Sequence, residues 1–210
     1  MNQENWFELQ REFAVNKDSL NPFLCDFGQV LLYNFFNRPE AACEAIGNLL
    51  AEQQENMGFE NTASMVYFLA ENLSKLGAND QAAETLKRFC DQLTGQVDSA
   101  FLTVYRRKEK EYRVLSGYAL YQWEKPDMDL VLPIRIDSIG KSGSGATAIT
   151  LEGTVNGKEQ NFTLDTGAGV NVVTPEVAKA CGMKILDVEI TASGVRTGSG
   201  QFAIAEEIKI

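Results

Sequence analysis

The sequence predicts an α+β, multidomain chain in which helical hairpins are followed by an all-β domain. Apolar residues recur at helical spacing through roughly the first hundred positions, and from Leu130 the apolar period drops to two. Asn156 and Gly157 then stand between two alternating runs, which is the strongest short-range hairpin signal a sequence offers. A length of 210 residues suits two small domains, since domains typically run to about 50–200 residues.

Each helix has its own stripe. Trp6, Leu9 and Phe13 form the first. Phe23, Phe27, Val30, Leu31 and Phe35 form the second, opened by Asn21 as a cap and Pro22 at the first helical position. Ala41, Ala42, Ala45, Ile46, Leu49 and Leu50 make the third. Met65, Val66, Leu69, Leu73 and Leu76 make the fourth, stopped by Gly77. Ala82, Ala83, Leu86, Phe89, Cys90 and Leu93 make the fifth, stopped by Gly95.

A shift of 41 residues lays Phe27 on Phe68, Leu32 on Leu73, Phe35 on Leu76, and Ala41 and Ala42 on Ala82 and Ala83. Two stacked helical hairpins give such a pattern, with small alanines at the helix crossing. Over about residues 20–95 the arrangement resembles a tetratricopeptide-type (TPR-like) hairpin pair, although the period is longer than that family's and its full consensus is absent. Two readings stand for this part: a concave surface that binds a partner, or a plain helical bundle.

The expected division is a helical domain at 1–97, a connecting segment at 98–128 and the β domain at 129–210. Within the connecting segment, Arg106, Arg107, Lys108, Glu109, Lys110 and Glu111 mix both charges, which reads as a solvated helical face rather than an anion site. Val131, Pro133 and Ile134 begin an apolar strand, and 140–145 is a Gly/Ser turn. Ile149, Leu151 and Val155, then Phe162 and Leu164, alternate on either side of the Asn156 turn.

Composition excludes several chemistries. There is no histidine, so Ser/His/Asp and Cys/His triads, His-containing zinc sites and histidine pH switches are absent. Nineteen basic against 29 acidic side chains give a net charge of −10, which opposes nucleic acid and anionic membranes. Cys25, Cys43, Cys90 and Cys181 are dispersed and read as buried free thiols, leaving little for redox or metal chemistry. No run approaches the ~20 apolar residues of a membrane helix, and residues 1–5 carry no basic, apolar, small-residue signal pattern.

The second half of the hairpin runs into Leu164, Asp165, Thr166, Gly167, Ala168, Gly169 and Val170, so an apolar strand delivers an aspartate to a turn of small residues. Gly167 permits a tight backbone whose amide can approach the carboxylate, and Thr166 offers a hydroxyl that can bond across to a neighbour. Read plainly, Asp165 is either a rigidly presented catalytic carboxylate or a turn aspartate bonding its own backbone.

In this context the sequence resembles the retropepsin-like aspartic proteases, the retroviral-type branch whose subunits carry a single Asp-Thr-Gly-Ala. The order agrees over about residues 130–210: an apolar strand with proline, an Asn-Gly hairpin, Leu164-Asp165-Thr166-Gly167-Ala168, the apolar Val172 and Val173, a short helix over 175–182, and a glycine-punctuated segment. The resemblance implies an aspartic endopeptidase with Asp165 catalytic and Thr166, Gly167 and Ala168 supporting it. It also implies a flap at Gly194, Val195, Arg196, Thr197 and Gly198, for which an ordinary Gly/Ser hairpin turn is the competing reading.

Metal-free peptide hydrolysis by carboxylates needs two of them sharing one proton. No second Asp-Thr/Ser-Gly exists: Asp98-Ser99-Ala100 and Asp137-Ser138-Ile139 both lack the glycine. The resemblance therefore implies a homodimer through the protease domain, with the partner aspartate supplied by Asp165 of a second copy, acting on a peptide or protein and needing no cofactor. A partner on the helical domain is a further expectation. Fewer residues follow Asp165 than the family's second strand pair and glycine turn require, so the β domain is expected to be incomplete, with Ile208 and Ile210 in the strand leaving the flap and an open sheet edge. The competing function is a helical-repeat binding protein whose protease-like domain is structural or inactive.

Overall fold

The computed structural model describes residues 5–119, 124, 127–138, 147–165, 170–193 and 197–210. The chain divides into two compact units, 1–121 and 122–210. The first is helical and the second is built mainly of strands, so the class is α+β.

Among the described residues the first unit has six α-helices, α1 (Trp6–Asn16), α2 (Pro22–Phe35), α3 (Pro39–Glu52), α4 (Gln54–Lys75), α5 (Asn79–Leu93) and α6 (Ser99–Leu115), and a short 3-10 helix at Lys17–Ser19. Local chemistry sets their ends. The Asn21 side chain accepts from the Leu24 amide at 2.8 Å, with Pro22 beside it as the first helical residue. Asp98 caps α6 by accepting from the Ala100 amide at 2.9 Å. Consecutive helices pack on one another from α2 to α6. Within α4, Gly58 has a non-helical backbone (φ 69°, ψ 170°), so the helix is kinked after its first turn.

The hairpins α2–α3 and α4–α5 are built alike. Asn37 (φ 52°) and Gly77 (φ 80°) each take the left-handed conformation that turns the chain back. The Arg38 amide donates to the Tyr33 carbonyl and the Ala78 amide to the Leu73 carbonyl, both at 2.9 Å. Buried Ala42, Ile46 and Leu49 correspond to buried Ala82, Leu86 and Phe89, a spacing of 82 − 42 = 40. The repeat read from the sequence at 41 residues is thus corrected to 40. The adjacent alanine pairs suggested the longer shift, but of Ala41 and Ala42 only Ala42 is fully buried against the neighbouring helices.

Two clusters form the core of this unit. Val30, Ala42, Ile46, Leu49, Met57 and Met65 join α2, α3 and α4, while Ala70, Ala82, Leu86, Phe89, Leu102 and Tyr105 join α4, α5 and α6. The segment 98–128, read from the sequence as a connection, therefore contains a helix that contributes to a core. Arg106, Arg107 and Lys110 are exposed as expected. Glu111 is not: it is only 4% exposed and pairs with Lys108, one turn before it on α6, at 2.9 Å.

The second unit contains β1 (Arg135–Ser138), β2 (Thr147–Val155), β3 (Lys158–Leu164), α7 (Pro175–Ala180), β4 (Lys184–Ser193), β5 (Thr197–Ile204) and β6 (Ile208–Lys209). All pairings among the described residues are antiparallel. β2 carries β3 along one side; on the other it carries β1 against Thr147–Thr150 and β6 against Thr154–Val155. β4 and β5 form a separate two-stranded sheet.

Two sequence expectations shift here. The first strand starts at Arg135 rather than Val131, which is 93% exposed, because Pro133 has no N–H for a ladder. The strand expected to run on to Ile210 ends at Ile204, and Ile208 pairs with Val155 instead. The Gly/Ser turn at 140–145 lies outside the described residues.

Candidate active site

The hairpin that carries Asp165 is set by its turn. Asn156 (φ 50°) and Gly157 (φ 74°) are both left-handed, the backbone a two-residue turn needs to match strand twist. The register then follows residue by residue from Val155 opposite Lys158 to Ile149 opposite Leu164. Asp165 is the next residue after the last pair, exposed at the end of β3. Leu164, Ile149 and Ile136 lie side by side across three strands at this end, and each is at least a third exposed. The aspartate thus follows directly after the β3 member of an accessible apolar row.

After Asp165, Val170, Val172 and Val173 are exposed and belong to no strand. The chain enters α7 through Thr174, whose hydroxyl accepts from the Val177 amide at 3.4 Å, with Pro175 at the first helical position. Ala178 within this helix and Cys181 at its end are buried. Glu176, in its first turn, has its carboxyl held below the usual carboxylate range by its own backbone amide and the Thr174 hydroxyl.

The supporting residues Thr166, Gly167 and Ala168 lie outside the described residues, as do Gly194, Val195 and Arg196 of the candidate flap. Thr197 and Gly198 open β5, and Thr197 pairs with Ser193 at the end of the β4–β5 ladder. A register shift interrupts that ladder between Ile185 and Glu189, where the Gln201 side chain donates to the Leu186 carbonyl at 3.3 Å.

The far end of the hairpin is tied by contacts that reading the sequence did not single out. The Asn156 side chain accepts from the Glu206 and Glu207 amides at 2.9 and 3.1 Å and donates to the Cys181 carbonyl at 2.9 Å. Lys158 donates from Nζ to the Ala180 carbonyl. The Asn-Gly signal marked the turn, but its partners lie 25 to 51 positions along the chain and left no local pattern.

All four cysteines are free thiols, with Cys90 and Cys181 buried. Burial pushes the thiols of Cys43 and Cys90 up from the ordinary thiol range. Among the described residues no group of three or more Cys, Asp or Glu is arranged to hold a metal ion, and no helix is long and apolar enough to cross a membrane.

Residues 151–210 match the family described as gag-polyprotein putative aspartyl protease. The matched segment runs from the middle of β2 through Asp165 and α7 to β6, so this part of the chain is similar to a retroviral-type aspartic protease domain. No curated protein and no solved structure matches the chain.

Proposed function

We propose that the protein is an aspartic endopeptidase whose site forms when Asp165 of two copies meet across a twofold axis. The carriage of Asp165 on the end of β3, within the segment matched by an aspartyl protease family, is the observation on which this reading rests. Two carboxylates about 3 Å apart cannot both ionise, so one takes a proton from the attacking water while the other protonates the substrate carbonyl oxygen. One chain supplies one such carboxylate in the Asp-Thr-Gly-Ala context, and the second copy supplies the other. Thr166, Gly167 and Ala168 then form the turn that presents each carboxylate, and residues 194–198 form the flap over bound peptide.

The helical unit, with its TPR-like hairpins, recruits substrate or a protein partner in this account. Its support is the 40-residue correspondence of α2–α3 with α4–α5, since stacked hairpins present a continuous face. The same correspondence favours a second reading, in which the helical unit is the working part and the protease-like unit is structural. Replacement Asp165→Asn separates the two. The first reading expects loss of all cleavage of unstructured peptides from pH 4 to 7, whereas equal cleavage by the variant, or none by the wild type, supports the second.

A further inference from the structure

Three stretches of the second unit meet on one side chain. Asn156 uses its Oδ1 to accept from both the Glu206 and Glu207 amides, and its Nδ2 to donate to the Cys181 carbonyl. Its own backbone amide donates to the Glu207 carbonyl at 2.9 Å. Glu206 and Glu207 lie in the link between β5 and β6, and Cys181 is the residue that ends α7. Lys158 adds a bond from β3 to the Ala180 carbonyl beside it.

These bonds close a loop. The chain leaves the Asn156 turn along β3, passes Asp165, enters α7 at Pro175 and returns to Asn156 at Cys181. Asp165 is roughly 25 Å from Asn156 along the hairpin, so Asn156 touches no reacting group. It fixes instead both elements that flank the aspartate. The same side chain fixes the exit of β5, the strand that leaves the candidate flap.

We infer that Asn156 is a positioning residue, which holds β3, α7 and the β5–β6 link in one fixed relation and thereby holds Asp165 and the flap strand to one frame. The catalytic half of this inference rests on the reading of Asp165 as the catalytic group; the structural half does not. Rigid support from outside the reacting set is what keeps a carboxylate in productive geometry.

Two replacements keep the left-handed turn and divide the bonds. Asn156→Gly removes every side-chain bond and takes the left-handed backbone without steric strain. Asn156→Asp keeps the two bonds from Glu206 and Glu207 but sets a carboxylate against the Cys181 carbonyl. In the full chain, hydrogen exchange at the Glu206, Glu207, Ala178 and Cys181 amides is read beside kcat and KM on a peptide that the wild type cleaves. For Asn156→Gly the expected result is exchange at all four amides about tenfold faster, with kcat down about tenfold and KM little changed. For Asn156→Asp the Glu206 and Glu207 amides regain protection while those of α7 do not. Wild-type exchange at all four amides in Asn156→Gly overturns the inference. Faster exchange with unchanged kcat overturns its catalytic half, and so does a kcat that tracks only the folded fraction. If the wild type cleaves no peptide, the protease reading fails, and the exchange pattern still decides whether Asn156 ties the three elements.

Discussion

The backbone of Lys209 occupies the place where a side chain on Gly153 would stand. A Cβ built on Gly153 runs into the Lys209 carbonyl oxygen and comes within 3.0 Å of the Phe162 ring. This bare position lets β6 lie against Thr154 and Val155 while β3 occupies the opposite side of β2. Gly153→Ala is expected to expel β6 and cost about 1–3 kcal/mol, the usual range for overfilling a packed site. Urea unfolding reads the loss, and hydrogen exchange at β6 locates it; an unchanged midpoint contradicts the relationship.

The polar layer between α2 and α4 makes a second prediction. Asn72 is fully buried, donating to Asn34 Oδ1 at 2.7 Å and to the Phe68 carbonyl at 2.8 Å, while its own Oδ1 has no partner among the described residues. Asn72→Ala strands the Asn34 oxygen and is expected to cost about 1–3 kcal/mol. Replacing Asn34 and Asn72 together by leucine removes every stranded group, so the double variant is expected to be more stable than Asn72→Ala. Thermal unfolding of both variants decides it.

The corrected repeat predicts equivalent positions. Ile46 and Leu86 are both fully buried and occupy corresponding turns of α3 and α5. Ile46→Ala and Leu86→Ala are each expected to cost about 2–5 kcal/mol. A loss at one position and none at the other breaks the equivalence of the hairpins.

What the sequence showed and what it hid divide along local and distant causes. The Asn21-Pro22 start, the Gly77 and Gly95 stops and the Asn156-Gly157 turn were legible because each is set by a few adjacent residues. The spacing of 40 was missed by one residue because two alanines in a row do not report which of them faces the neighbouring helix. Burial of Glu111 was hidden, because Leu102, Tyr105 and Tyr112 mark a different side of α6 and the run of mixed charges around Glu111 pointed outward. The pairing of β6 with β2 depends on Gly153 and Asn156, more than fifty positions from Lys209 and Glu207, so no window of sequence contains it. Of the candidate site, the strand that leads into Asp165 was legible through its alternation.

Acidity tunes the helical unit through Glu71. Burial raises its carboxyl above the ordinary value, opposed by Lys108 and Lys75. Around it, Tyr67 is pushed up to about 12, first by burial and then by Glu71 and Glu111, and Tyr112 is raised further still, mainly by burial. The folded-state value of Glu71 lies above its unfolded value, so the folded state binds the proton more tightly. Its contribution is therefore complete below the ordinary glutamate range and is lost as pH rises through the raised folded value. Glu71→Gln is expected to flatten the pH dependence of the unfolding midpoint in that window; parallel wild-type and variant curves contradict it.

The dimeric site is tested most directly by the rate of peptide cleavage per chain as the chain is diluted, with and without added Asp165→Asn chain. Two aspartates from two copies predict that the rate per chain falls on dilution, and that the variant suppresses wild-type activity by drawing it into mixed dimers. A rate per chain that is independent of concentration and untouched by the variant contradicts a site shared between copies.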